Sequence, residues 1–199
     1  NDLMSESFLF KVLTKYNVSV VIHLAAQPGV RYSLKKPADY VKNNIMATTN
    51  LFEACRKSKK IKHFLLASSS SVYAASKKIP YDENDPADFP LQFYAVTKRS
   101  TELMAHCYSH LYKIPCTIMR LFTVYGAYGR PDMALFKFTK NLLTNKKIEL
   151  YNKGNHTRDF TYIDDTVNGI EKLIKKIPKK NEKFGLNKNL LHYSKAKLR

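Results

Sequence analysis

A tyrosine followed four residues later by a lysine can form a proton-transfer pair, because residues i and i+4 lie on the same side of a helix. Tyrosine has a pKa near 10 and is a poor base at neutral pH, but an ammonium group within about 4–6 Å lowers that pKa. With a serine hydroxyl to share the proton, such a pair suits removal of a proton from an alcohol while a hydride leaves its carbon. The spacing occurs four times, at Tyr32–Lys36, Tyr73–Lys77, Tyr94–Lys98 and Tyr193–Lys197.

The surroundings of the four pairs differ. Tyr32–Lys36 runs into a proline, which disfavours helix at the residue before it, and Tyr73–Lys77 follows a strand and leads into a turn. Tyr193–Lys197 lies in a lysine-rich tail with no strand before it. Tyr94–Lys98 opens a long amphipathic segment and has a serine run upstream that includes Ser69. Spacing alone leaves open a tyrosine at a helix start followed by a solvated lysine.

The hydrophobic pattern predicts alternating strands and helices around these residues. Helices are predicted at 5–15, 37–58, 95–113, 133–144 and 166–177, and strands at 18–26, 61–72, 115–122 and 147–151. This order, with long apolar strands, is typical of a parallel α/β sheet, whose ligands bind beyond the carboxyl ends of the strands. We expect a partial nucleotide-binding domain over 1–130 and a partial substrate region with a basic tail over 131–199.

Composition excludes several classes of protein. With 44% hydrophobic and 12% aromatic residues over 199 positions, the chain is not a disordered polymer. No apolar run approaches the roughly 18 residues of a membrane span, and the N-terminus lacks the basic region of a signal peptide. Three cysteines without metal-ligand spacing predict buried apolar side chains in a reduced compartment and no metal site. We therefore expect a cytoplasmic location and no membrane partner.

The charge balance leaves two interpretations. Lysine and arginine number 34 against 16 acidic residues, which gives +18. Such a charge could mark a nucleic-acid-binding surface, but no zinc-finger or RRM signature is present, and lysines spread over solvated faces are the favoured explanation. We predict no nucleic-acid partner, while the positive field favours phosphorylated small molecules.

Five blocks of sequence resemble the extended short-chain dehydrogenase/reductases of the NAD-dependent epimerase/dehydratase family. They are HLAAQPGVRYS (23–33), ASSSSVY (67–73), YAVTK (94–98), RLFTVYGAYGRPDMALFKFTK (120–140) and RDFTYIDD (158–165). The resemblance implies a Rossmann-like, doubly wound parallel sheet lacking its first βαβ unit, plus part of a small C-terminal substrate domain. The six glycines form no glycine-rich turn of the kind that holds a dinucleotide diphosphate.

The resemblance also implies a reaction and its catalytic residues. Tyr94 would be the base for a sugar 4-hydroxyl, Lys98 its partner and a ribose contact, and Ser69 the hydroxyl that shares the proton. NAD would accept the hydride of C4 and return it to the other face of the rotated keto sugar. The implied function is epimerisation at C4 of a UDP-sugar. An inactive remnant that at most binds a UDP-sugar remains the alternative.

Matching positions imply the cofactor contacts. Besides Tyr94 and Lys98, the implied cofactor-binding residues are Leu24, Ala25, Ala26, Gln27, Asn43 and Phe122. Core packing would explain Leu24 and Ala25 equally well, and a helix surface would explain Asn43. Two positions depart from the family pattern: Pro28 replaces a small residue, and Ala74 stands where the family usually has glycine.

Other matching positions imply the substrate. Thr123 and Arg130 would bind the C5 carboxylate, since a carboxylate favours a hydroxyl donor and a cation, and Arg158 would grip the diphosphate; a surface salt bridge is the alternative for Arg158. Arg31 is a further sugar-side candidate.

Two serines and two helices complete what the resemblance implies. Ser70 and Ser71 occupy substrate-side positions where dehydratases and decarboxylases carry acids, so UDP-glucuronate to UDP-galacturonate is the implied conversion. A homodimer through helices 37–58 and 95–113 is also implied.

Overall fold

The computed structural model describes residues 2–73, 76, 78–85, 87–155 and 157–179. They form two compact units, the first made of 2–121 with 173–179 and the second of Phe122–Lys172. This division falls nine residues before the predicted limit at 130 and returns the last described residues to the first unit. The functional assignment of 1–130 and 131–199 stays a prediction, and the predicted basic tail, Ala74, Lys77 and the pair Tyr193–Lys197 lie outside the described residues.

The first unit is built on a parallel sheet, as the sequence predicts. Strands β1 (Val20–His23), β2 (His63–Ser69) and β3 (Cys116–Leu121) lie in the order β1-β2-β3. In the register Ile22 pairs with Leu65, and Leu66 pairs with Ile118. The first six residues of β2 are buried, as expected for a central strand covered on both faces. β1 is shorter than the predicted strand 18–26, since its apolar flanks do not join the ladder.

Helices α1 (Glu6–Lys15) and α4 (Ala47–Ser58) pack with helix α5 (Phe93–Tyr112) around this sheet. Their shared core contains a stack in which Phe52 lies 4.3 Å from the Phe64 ring and 4.7 Å from the Tyr108 ring. Ser5 accepts a hydrogen bond from the Phe8 N–H at 3.4 Å and caps α1. The core fixes α5, which carries Tyr94 and Lys98, against β2.

The predicted helix 37–58 is interrupted by a wider turn. Helix α3 (Pro37–Tyr40) continues as a π-helical segment (Val41–Met46) before α4 begins. Single π-helical turns inside α-helices frequently occur at functional sites. A further short helix, α2 (Val30–Lys35), precedes them and ends before Pro37, in agreement with the restriction that proline places on Lys36.

The second unit contains a separate parallel pair of strands, β4 (Thr123–Tyr125) and β5 (Phe160–Tyr162). Helix α6 (Ala134–Leu143) and a 3-10 turn (Tyr151–Gly154) lie between them, and α7 (Ile163–Ile174) follows β5. The predicted strand 147–151 is wrong, because 147–150 join no ladder and Tyr151 opens the 3-10 turn. Helix α7 begins at Ile163 rather than at residue 166.

Within the described part of the chain, no helix is long and apolar enough to cross a bilayer. No group of three or more His, Cys, Asp or Glu side chains that could hold a metal ion occurs among those residues either.

Candidate active site

Lys98 is a buried lysine at the end of the central strand. Its side chain lies on the first turns of α5, four residues after Tyr94, and only 6% of the residue is exposed. The ammonium Nζ donates a hydrogen bond to the main-chain carbonyl of Ala67 at 2.9 Å. Burial lowers the pKa of Lys98 from 10.5 to about 8, and the charge of Glu102 opposes that effect. The structure therefore removes the alternative of a solvated lysine.

The pair Tyr32–Lys36 lacks this arrangement, and Lys77 of the pair Tyr73–Lys77 lies outside the described residues. The Tyr32 hydroxyl donates to the Asp39 carboxylate at 2.9 Å, and this bond raises the pKa of Tyr32, the opposite of what a base requires. Its partner Lys36 lies outside helix α2, with φ −135° and ψ 62°. Tyr73 is buried beneath the Arg120 guanidinium, 4.7 Å from its ring centroid. Within the described residues, Tyr94–Lys98 is thus the pair with a buried lysine at a strand end.

The serine run stands at the same end of β2. Ser69 is the last residue of the strand, two positions after the Ala67 carbonyl that Lys98 binds. Its hydroxyl donates to the Ser71 hydroxyl at 3.1 Å and accepts the Ser71 N–H at 3.2 Å. Ser70 and Ser71 begin the 3-10 turn that follows. The sheet thereby brings the predicted serines and Lys98 to one edge.

Residues of α2 and α3 fix the start of α5. The Tyr94 N–H donates to the Ser33 hydroxyl at 3.2 Å, and that hydroxyl donates to the Val30 carbonyl at 2.6 Å. The Tyr40 ring meets the Tyr94 ring edge-on, with centroids 6.1 Å apart. The Tyr40 hydroxyl lies 2.7 Å from the Pro28 carbonyl oxygen. The sequence analysis missed Ser33 and Tyr40, because a helix cap supplied from 61 residues away leaves no local pattern.

A cleft of about 570 Å³ lies beside β1 and the π-helical segment. Its lining consists of Asp2, Leu3, Ala25, Ala26, Gln27, Asn43 and Ala47. Four of the predicted cofactor positions therefore share one cavity. Leu24 is 56% exposed and Ala25 is exposed as well, so core packing does not explain these two residues.

Asn44, which the sequence analysis missed, joins three parts of the site. Its amide oxygen accepts the Gln27 N–H at 2.7 Å, and its amide nitrogen donates to the Gln27 carbonyl at 3.2 Å and to the Thr97 hydroxyl at 3.0 Å. Thr97 in turn donates to the Tyr94 carbonyl at 2.8 Å. Two consecutive asparagines inside a helix were the available signal, since asparagine is a poor helix former. Asn43 lines the cleft while Asn44 is buried.

His23, at the end of β1, is a buried neutral imidazole. Its Nε2 lies 2.9 Å from the Thr48 hydroxyl oxygen. Burial, together with the positive charge of Lys98, lowers the pKa of His23 from 6.5 to about 4. At neutral pH the histidine therefore adds no positive charge next to Lys98.

The remaining predicted residues occupy other places. Arg31 is exposed on α2 of the first unit. In the second unit Phe122 precedes β4, Thr123 begins it, and Arg130 forms a two-pronged ion pair with Asp132 at 3.0 and 2.5 Å.

Arg158 is exposed in the segment before β5. Its Nη1 donates to the Thr157 carbonyl at 3.0 Å. Across the residues that the structure describes it joins no ion pair, so the surface salt bridge considered from the sequence is not found there.

The chain belongs to the NAD dependent epimerase/dehydratase family, whose model matches residues 1–185. It is 54% identical over 154 residues to a probable UDP-glucuronate 4-epimerase from Rhizobium meliloti, covering 77% of this chain and 45% of that protein. An uncharacterized protein from Methanocaldococcus jannaschii is 55% identical over 168 residues, which cover 84% of this chain and 51% of that protein.

Solved structures agree with this family. UDP-glucuronic acid 4-epimerase from Bacillus cereus, in complex with UDP-glucuronic acid and NAD, matches with a TM-score of 0.81 and 42% identity. The match covers 91% of this chain and 55% of that one. The chain thus spans about half the length of the relatives it matches, and the Rossmann-like α/β fold class expected from the sequence is confirmed.

Proposed function

We propose that this chain is the catalytic part of an NAD-dependent enzyme that epimerises C4 of a UDP-sugar, converting UDP-glucuronate to UDP-galacturonate. The observation that carries the proposal is the Lys98 ammonium, buried at the end of β2 and four residues after Tyr94 on α5. Relatives that carry this activity in their names, and a solved complex with UDP-glucuronic acid and NAD, support it.

The chemistry of the first unit's residues suits proton transfer at a secondary alcohol. Tyr94 takes the proton of the sugar 4-hydroxyl and later returns it, because the nearby Lys98 ammonium favours the phenolate. The Ser69 hydroxyl shares that proton. Bound NAD+ supplies the hydride acceptance and return at C4.

The cleft residues fit the cofactor. Two alanines in its lining, Ala25 and Ala26, leave room for a flat ring, and the amides of Gln27 and Asn43 offer donors and acceptors to a nicotinamide and its ribose. We also assign Leu24 and Phe122 to contacts with this cofactor.

The second unit supplies residues for the rest of the substrate. We assign the C5 carboxylate to Thr123 and Arg130, whose guanidinium already forms a two-pronged bond with a carboxylate, that of Asp132. Arg158, exposed and fork-shaped, is assigned to the diphosphate.

Arg31, on α2 of the first unit, is assigned to the sugar side.

The serines favour epimerisation over related reactions. Ser70 and Ser71 present hydroxyls where elimination or decarboxylation would require a carboxyl group. No further acid or base therefore accompanies Tyr94 at these positions, and we assign both hydroxyls to substrate binding.

Turnover tests the proposal. The 199-residue chain is incubated with UDP-glucuronate and NAD+, and the sugar resonances are followed by proton NMR. Formation of UDP-galacturonate is expected. Absence of product together with measurable UDP-glucuronate binding would instead support the alternative, a chain that binds a UDP-sugar without converting it.

We also propose a homodimer through helices 37–58 and 95–113. Val96, Leu103 and Cys107 are exposed on α5 at spacings that place them on one side of the helix, and Met46 is 48% exposed on the other segment. Sedimentation of the native chain should give twice the monomer mass, and Leu103→Glu should give the monomer mass. A monomeric native chain would contradict this assignment. The cytoplasmic location stays a prediction from the sequence.

A further inference from the structure

Glu102 is a fully buried carboxylate one helical turn beyond Lys98. The residue is 2% exposed, and four donors surround its two oxygens. Oε1 accepts from the Ser68 hydroxyl at 2.5 Å and from Arg120 Nε at 3.0 Å. Oε2 accepts from Arg99 Nη1 and Arg120 Nη2, both at 2.9 Å. All the acceptor positions that a carboxylate needs to fill in a buried site are thereby satisfied.

The surroundings keep this carboxyl group ionised. Burial by itself raises the pKa of Glu102, but the hydrogen bonds and charge of Arg120, with the bonds from Ser68 and Arg99, outweigh it and hold the pKa below its ordinary value. A permanent negative charge therefore lies inside the first unit at neutral pH.

Neighbouring groups hold the two guanidiniums in place. Arg120 lies over the Tyr73 ring and donates from Nη1 to the Asp85 carbonyl at 3.2 Å. Arg99 donates from Nη2 to the Asp88 carboxylate at 3.0 Å. The geometry around Glu102 is thus fixed from β3, from the segment before α5 and from α5 itself.

Two successive residues of β2 are bound to two successive turns of α5. Ala67 accepts from Lys98, and Ser68 donates to Glu102. The next residue of the strand is Ser69. The Ser68–Glu102 bond therefore adds a second link between α5 and the strand end that carries the Lys98 acceptor and the Ser69 hydroxyl.

We propose that Glu102, with Arg120 as its counterion, is a positioning residue for Lys98, fixing the strand end against α5 and supplying the negative charge that keeps the lysine an ammonium. This inference rests on the proposed function for its catalytic meaning, because the ammonium matters through Tyr94. Glu102 acts through its bonds with Ser68, Arg99 and Arg120.

The position of Glu102 along α5 explains why its negative charge favours the Lys98 ammonium without opposing the Tyr94 phenolate. At about 1.5 Å per residue, Glu102 lies about 6 Å from Lys98 along the axis and about 12 Å from Tyr94. The guanidiniums of Arg99 and Arg120 offset the carboxylate charge at longer range. The imidazole of His23, which faces Lys98 from β1, is neutral at that pH.

The test measures the protonation of Lys98 directly, without turnover. The native chain is labelled with ε-¹³C lysine, and the Lys98 resonance is assigned by its loss in Lys98→Met. A pKa of about 8 means that about half of Lys98 is charged at pH 8 in the native chain. In Glu102→Gln, which keeps the shape and removes the charge, the charged fraction at pH 8 should fall well below half. Glu102→Asp, which keeps the charge, should restore it towards the native value.

An unchanged Lys98 titration in folded Glu102→Gln would overturn the proposal, since a purely structural glutamate would not alter it. If circular dichroism shows that this variant does not fold, the double variant Glu102→Gln/Arg120→Met takes its place, because removing both partners of a buried pair is often tolerated. It should show a smaller fall, because the positive charge of Arg120 is removed together with the carboxylate, and an unchanged titration there would equally overturn the proposal. A lower charged fraction of Lys98 in Glu102→Gln, combined with a native chain that forms no UDP-galacturonate, would reject the proposed function. The effect of Glu102 on Lys98 would still stand.

Discussion

The Lys98 ammonium donates to the main-chain carbonyl of Ala67 with an Nζ–O distance of 2.9 Å, inside a site where only 6% of the lysine is exposed. This bond joins the helix that carries Tyr94 to the strand that ends in Ser69. A lysine in this position is costly to keep charged, and that cost makes its protonation measurable as a dependence of stability on pH.

Lys98 should make the protein more stable as the pH rises from about 8 to 10.5. In that interval the unfolded chain binds more protons at this residue than the folded chain does, so the free energy of unfolding increases with pH. The change from 10.5 to about 8 corresponds to about 3 kcal/mol at about 1.4 kcal/mol per pH unit. Urea unfolding should show this rise for the native chain and not for Lys98→Met. Parallel curves for the two proteins would contradict a buried ammonium.

His23 should produce a second rise of stability with pH, in the acid range. Its pKa is 6.5 in the unfolded chain and about 4 in the folded one, so its contribution is complete above pH 6.5 and is lost as the pH falls towards 4. The loss amounts to about 3 kcal/mol. Urea unfolding of His23→Gln should lack this acid slope, whereas His110→Gln, which alters an exposed histidine, should retain it. An equal slope in both variants would place the acid sensitivity elsewhere.

The two neighbouring asparagines should separate stability from cofactor binding. Asn44→Ala removes the bonds to the Gln27 N–H and carbonyl and one of the bonds of the Thr97 hydroxyl, which costs about 1–3 kcal/mol of unfolding free energy. Asn43→Ala should change that free energy by no more than about 0.5 kcal/mol and weaken NAD+ binding by about 3–10-fold. Thermal unfolding and calorimetric titration measure the two quantities. If Asn44→Ala weakened NAD+ binding while Asn43→Ala reduced only the unfolding free energy, Asn44 and not Asn43 would serve the cofactor.

Arg130 should discriminate between sugars. If it binds the C5 carboxylate, Arg130→Met weakens UDP-glucuronate binding by about 10–100-fold, the value of a charged hydrogen bond, and leaves UDP-glucose binding nearly unchanged. Arg158→Met is the matched control, because loss of a diphosphate contact weakens both nucleotides equally. Calorimetric titration gives all four affinities. An equal loss for both sugars in Arg130→Met would remove its assignment to the carboxylate.

Some of this structure could be predicted from the sequence and some could not. The near-continuous apolar run of β2 and the opening of α5 at Tyr94 follow from residue types close together in the chain. The π-helical segment and the different surroundings of Asn43 and Asn44 could not be predicted in this way. The position of Asn44 involves contacts with Gln27 and Thr97, which are distant in the chain.

The other differences between prediction and structure involve residues whose contacts are distant in the chain. Glu102 and Arg120 lie 18 positions apart in the chain, and neither has a periodic pattern that marks the pair. The segment 147–150 has the alternation of a strand, yet it joins no ladder in the described second unit, so its β-propensity alone was insufficient.

The central claim is that Tyr94 is the base of the site. Epimerisation of UDP-glucuronate with added NAD+ is measured by proton NMR for the native chain, Tyr94→Phe and Tyr32→Phe. Tyr32 belongs to the competing pair and donates its hydroxyl to Asp39, so its removal is the matched control. Product from the native chain and Tyr32→Phe, with a rate at least about 100-fold lower in Tyr94→Phe, is the expected result. Undiminished turnover in Tyr94→Phe, or equal losses in both variants, would contradict it.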